Sequence, residues 1–212
     1  MSTHELKNIV GGQPERRWPR QKCDRPASRV RGDRVTSKLT FIKDTYGEPV
    51  LTSVMEAIDS GDRLTLENVR PSGWCGLELY DRLLTTICKI AANGDKSIYK
   101  ELGRHSCEYT FSTNYAAFRP SDPMDMLTKL GSVYYLRNYP AEIYVTSETD
   151  GRCTIRILQP RATAAICKVT RAFYERTAQL CGGRNVQMHE PSCAAEGDLY
   201  CQYELVWQPS RS

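Results

Sequence analysis

The hydrophobic period of this chain changes near residue 140, and that change limits the fold more than any other feature. Before it, apolar residues recur every three or four positions, the spacing of one helix face. GEPVLTSVMEAIDS places Val50, Leu51, Val54, Met55 and Ile58 together. GLELYDRLLTTICKIAANG does the same with Leu77, Tyr80, Leu84, Ile87 and Ala91, and Asn93-Gly94 supplies a stop. A short helix is expected over 97–107, and another in SDPMDMLTKLGSVYYLRN, with a Ser121/Asp122 cap and Pro123 in its first turn. After residue 140 the period is two. AEIYVTSE and RCTIRIL read as strands around Thr149-Asp150-Gly151. A helix follows over about 161–181, with Ile166, Val169, Phe173 and Leu180 as its stripe and Gly182-Gly183 as its end. NVQMHE and LYCQYELVW are two further strands. The expected fold is α+β: a helical N-terminal half, then a ββαββ antiparallel four-stranded sheet packed by helices.

Composition places this pattern in a class. With 212 residues, 40% hydrophobic and 25% charged, the chain is long enough for one domain that buries roughly 70% of its unfolded surface. No apolar run approaches the ~18 residues of a membrane span. The start, MSTHELKNIVGG, lacks the apolar core of a secretory signal, so a cytoplasmic location is expected. Nine cysteines in that setting point to free thiols or metal ligands rather than disulfides. Residues 1–34 hold eight arginines and lysines from Arg16 to Arg34 among Pro, Gly and Ser, and read as a flexible basic arm. Residues 35–210 read as a single ligand-binding domain.

The stretch HEPSCAAEGDLYCQYELVW carries the sharpest chemistry. Strand parity puts Glu190 on the apolar face with Val186 and Met188, and Cys201 on the apolar face with Tyr203 and Leu205. An ionised carboxylate against a core costs several kcal/mol unless a cation answers it. Cys193, in the turn, lies near both. A tetrahedral site needs a fourth ligand, for which Cys167, Cys181 and His189 are candidates. His189 has the wrong parity and Cys181 lies at the far end of the helix, so Cys167 is favoured. Ordinary buried thiols beside a solvated glutamate are the competing reading.

A helix with a Cys, a Gly-Gly, a strand ending in Glu-x2-Cys, then Gly-Asp and a Cys opening the last strand is similar to the 4-vinyl reductase domain. It resembles in particular the aromatic-effector sensor domains of phenol- and xylene-responsive activators. The likeness covers roughly 140–207; the helical front half matches only in style, and also looks like myxobacterial relatives of unknown function. The wider superfamily includes heme nitric-oxide-binding domains. The resemblance implies a structural zinc on Cys167, Glu190, Cys193 and Cys201, and an apolar ligand pocket between helices and sheet.

Aromatic residues available to such a pocket include Trp74, Tyr80, Tyr109, Phe111, Tyr134 and Phe173. The function these features imply is a non-enzymatic regulatory sensor that binds a small hydrophobic or aromatic molecule and signals to a protein partner or through a homodimer. One alternative acts through the arm: Arg16, Arg17, Trp18 and Arg20 could hold a nucleic acid or cyclic dinucleotide by guanidinium–phosphate pairing and stacking. A heme gas sensor is a third reading. His105 follows a helical pattern, as in the heme-binding relatives, but their Tyr-x-Ser-x-Arg motif for the heme propionates is missing. Enzymatic function has the least support, because no nucleotide-binding Gly-rich loop or nucleophile–base pair stands out.

Overall fold

The computed structural model describes residues 28–114, 122–159 and 161–209, apart from the side chains at 135 and 148. Five helices form the first half: α1 (Gly32–Tyr46), α2 (Glu48–Glu56), α3 (Ser60–Asn68), α4 (Leu77–Ala91) and α5 (Ile98–Thr113). Helix α6 (Pro123–Ser132) leads into the sheet, and α7 (Ala164–Leu180) interrupts it. The four strands β4 (Glu142–Thr149), β5 (Arg152–Leu158), β6 (Arg184–Ser192) and β7 (Cys201–Gln208) are antiparallel in the order β4-β5-β7-β6. The α+β, ββαββ expectation is what the chain adopts.

The local reasons are those visible in the residues. Asp122 caps α6 by accepting from the backbone N–H of Met124 and Asp125 at 3.2 Å each, and Pro123 fits the first helical position. Thr163 caps α7 through the N–H of Ile166. On β7, Cys201, Tyr203, Leu205 and Trp207 are all buried, so alternation sends one face of the sheet into the core.

Two features depart from the expectation. A small sheet in the order β2-β1-β3, of β1 (Arg29–Arg31), β2 (Trp74–Gly76) and β3 (Asn138–Tyr139), stitches the start of the described chain to the junction of the halves. Its strand β1 and the first turn of α1 fall inside the segment 1–34 read as a flexible arm. Backbone pairing with β2 and β3 orders these residues without a hydrophobic run, and Val30 and Val35 are fully buried. Arg16, Arg17, Trp18 and Arg20 lie outside the described residues.

Two hydrophobic cores result. One joins α1, α2, α4 and α5 with the start of α7; the other joins α5, α6 and the rest of α7 with the sheet. Helix α7 serves both. It meets α5 so closely that a Cβ at Gly103 would lie 2.4 Å from the Val169 carbonyl oxygen and 2.6 Å from the Ala172 Cβ. Among the described residues no helix is long and apolar enough to cross a membrane.

Gly103→Ala should therefore destabilise the protein by about 1–3 kcal/mol through overpacking, although alanine is the better helix former by ~1 kcal/mol. Urea denaturation reads this as a lower midpoint. An unchanged or raised midpoint would show that the α5–α7 crossing is not tight.

Candidate ligand cavity and thiol cluster

The thiols expected to converge do so. Cys167 on α7, Cys193 after β6 and Cys201 at the start of β7 have sulfurs within 4.8 Å of one another, and none is more than 9% exposed. The hairpin is tied by Asp198, whose carboxylate accepts from the Cys193 N–H at 2.8 Å. Tyr203 donates to the Cys167 carbonyl at 3.3 Å. Cys181 is buried elsewhere in the sheet-side core, and His189 points outward as its parity required. Glu190 is not one of the converging set. Its Oε2 lies 3.9 Å from an Arg171 nitrogen, and its buried Oε1 has no partner. Burial pushes the Glu190 carboxyl up, against the hydrogen bond from Cys193 and the charge of Arg171.

Within the cluster, Cys167 and Cys201 share a proton across 3.4 Å. That bond, helped by the Ala194 N–H, holds the Cys201 thiol down to about 6 against its burial. The same bond, then burial, pushes Cys167 up.

A second arrangement lies where the two cores meet. A cavity of about 30 Å3 opens between α1, α4, α5, α7 and the turn before β3. By the usual allowance of ~10–15 Å3 each, it holds about two water molecules. Its side walls are aromatic: Tyr80, Tyr134, Phe173 and Tyr174. Its floor and mouth are polar. Lys38 is 1% exposed; its ammonium donates to the Leu102 carbonyl at 3.2 Å and to Ser106 Oγ, and stands 5.9 Å from the Tyr80 ring centre. Arg34 donates to Asn138 Oδ1 at 2.5 Å. Asp33 Oδ2 accepts from Arg137 at 2.6 Å and from Asn114 at 2.9 Å, whereas Asp33 Oδ1 is buried with no partner among the described residues. Burial, then the charge of Arg34, holds the Lys38 ammonium well below its ordinary range. Burial also raises the Tyr80 hydroxyl to about 12.

Three of the six aromatic residues named from the sequence thus line the cavity: Tyr80, Tyr134 and Phe173. The others do not. Trp74 sits in β2 under the guanidinium of Arg29, 4.8 Å from its ring centre. Phe111 is core, and Tyr109 packs near His105 at 6.4 Å. Asp33, Arg34 and Lys38 were missed because their segment reads as arm or its border. One signal was available: Val35, Lys38 and Ile42 recur at helical spacing, which puts Lys38 on the buried face.

No family model matches the sequence, and no curated protein matches it either. Solved structures do match in fold. A crystal structure of an H-NOX protein from S. oneidensis in the Fe(II)NO ligation state is 14% identical, with a TM-score of 0.68 over 84% of this chain and 99% of that one. The Fe(II) unliganded H-NOX protein from K. algicida is 12% identical, with a TM-score of 0.64 over 86% and 99%. A structure described under heme redox potential and porphyrin distortion is 12% identical, with a TM-score of 0.67 over 86% and 98%. The chain therefore has the H-NOX fold.

These likenesses correct the identification with the 4-vinyl reductase zinc sensors, and with it structural zinc as the cofactor. The resemblance rests on a helix followed by a hairpin with thiols at its turn, over roughly 140–207 alone, whereas the fold matches span 84–86% of the chain. Three thiols converge, and the Glu190 carboxylate stands beside them at Cys193 with its Oε2 3.9 Å from Arg171.

Heme, named for the fold neighbours, does not fit the residues present. The junction cavity is far smaller than a porphyrin, and a buried ammonium stands in it. His105 does not line it; the imidazole packs 5.3 Å from Phe41, with burial lowering its pKa. A larger groove of about 650 Å3 beside α1, α2 and α3 has no histidine in its lining, and sets Glu48, Glu56 and Glu67 against one Arg63, the reverse of what propionates need.

The thiol pair makes stability depend on pH. Unfolded thiols titrate near ~8.5. Cys201 is held lower, so its contribution is full above ~8.5 and lost as pH falls through about 6. Cys167 is held higher, so its contribution is present below ~8.5 and lost as pH rises further. Denaturation across this range should show stability peaking near pH ~8.5, and Cys201→Ser should flatten the rising limb. An identical slope in wild type and variant would contradict the shared proton.

Proposed function

We propose that the chain is a non-enzymatic sensory domain that admits a small ligand where its helical and sheet cores meet, and passes the change to a partner protein. The observation that carries this is the cavity itself. Its lining comes from α1, α4, α5 and α7 at once, so an occupant touches both cores and can bias how they pack. The shared fold supports the reading, since one matched H-NOX structure holds an iron-bound NO and another is unliganded. The aromatic walls and the converging polar groups are what a pre-formed ligand site uses for shape and orientation.

A ligand at a hundred times its dissociation constant stabilises the native state by ~2.7 kcal/mol. Screening small metabolites by thermal melting should find a compound whose shift is lost in Ser106→Leu, a change that fills the cavity. A shift that survives this substitution would place the ligand elsewhere.

A second reading, a heme gas sensor, is favoured by the fold and by His105 on α5, whose Nδ1 is buried without a partner. It requires Tyr80, Tyr134 and Lys38 to vacate the junction. Protein expressed with excess heme should purify without a Soret band. A stoichiometric Soret band that disappears in His105→Ala would replace the small-ligand reading with the heme one.

A further inference from the structure

We propose that the junction cavity binds a small oxyanion that carries one O–H, of the size and shape of bicarbonate. This rests on the sensory reading above and names the ligand class of the same site.

Charge is the first argument. The carboxylic and basic groups lining the cavity are Asp33, Arg34, Lys38 and Arg137. Asp33 is already paired with Arg137 at 2.6 Å. Among the described residues Lys38 and Arg34 hydrogen-bond to neutral oxygens, the Leu102 carbonyl, Ser106 and Asn138, and the one carboxylate whose charge reaches both, Asp33, is shared with Arg137. A buried ammonium beside a guanidinium is costly, and burial with the Arg34 charge disfavours the charged form of Lys38 more than Asp33 favours it. A monovalent anion between them removes most of that cost.

The orphaned acceptor is the second argument, and it selects among anions. Asp33 is 8% exposed and, among the described residues, its Oδ1 accepts from nothing. A bare anion such as nitrate or chloride would meet that oxygen with like charge. An oxyanion with a hydroxyl donates to Asp33 Oδ1 on one side, while its remaining oxygens accept from Lys38 and Arg34 on the other. Each buried polar atom at the junction then has a partner.

Size is the third. The cavity of about 30 Å3 admits a planar group of about the bulk of two water molecules. The rings of Tyr80, Tyr134 and Phe173 are part of its lining.

The test titrates the full chain with sodium bicarbonate, sodium nitrate and sodium chloride at fixed pH and ionic strength, by calorimetry and thermal melting. One-site saturation by bicarbonate is expected, with nitrate at least about tenfold weaker (a difference of ~1.4 kcal/mol). Lys38→Met should abolish the bicarbonate response. Equal responses to bicarbonate and nitrate, or no saturable response to either, would overturn the proposal. That wild-type contrast decides even if a variant fails to fold. If oxyanions fail but a neutral or cationic metabolite gives a shift lost in Ser106→Leu, the anion inference falls and the sensory reading stands. If no compound of any class gives a shift that depends on the cavity, both fall.

Discussion

Helix α7 has to bury two faces at once, and the rest of the molecule is arranged around that demand. Ala165, Ile166 and Val169 enter the helical core, while Cys167, Tyr174 and Ala178 enter the sheet-side core. Gly103 lets α5 come into backbone contact with it. A helix with both sides covered leaves little freedom for sliding, so the two cores meet along a defined seam. The junction cavity and the thiol cluster lie at different places along α7: Val169, Phe173 and Tyr174 line one, Cys167 belongs to the other.

Polar groups at such a seam behave differently from those at the surface. Lys38 and Asp33 are as buried as the leucines around them, so each needs a partner that the protein only half provides. Structures tolerate such incomplete networks where a ligand completes them. The thiol cluster is the contrasting case. Its shared proton, the Asp198 tie and the Ala194 N–H satisfy it internally, and that makes it a fastening of the β6–β7 hairpin to α7.

Much of this was legible in the residues. The change of period gave the helical half and the ββαββ sheet, the Asp122 cap gave the start of α6, and the alternation of β7 gave its buried face. Strand parity turned Cys201 inward and sent His189 outward, and the hairpin turn and the course of α7 brought Cys193 and Cys167 to it. What the residues concealed has a common cause. Helix α1 carries charged side chains whose burial depends on partners far along the chain, Asn138 for Arg34, Arg137 for Asp33 and Ser106 for Lys38, and local pattern is blind to such partners. The zinc identification failed for a related reason: spacing records a hairpin against a helix, and that arrangement outlives any one cofactor.

The central claim is that the junction holds a small polar ligand and not a porphyrin. A high-resolution crystal structure of protein grown with heme supply and purified in bicarbonate tests this most directly. The account predicts compact density of a few atoms bonded to Lys38 Nζ and Asp33 Oδ1, with Tyr80 and Tyr134 in place. A porphyrin plane between the helical and sheet halves, with those side chains displaced, would contradict it.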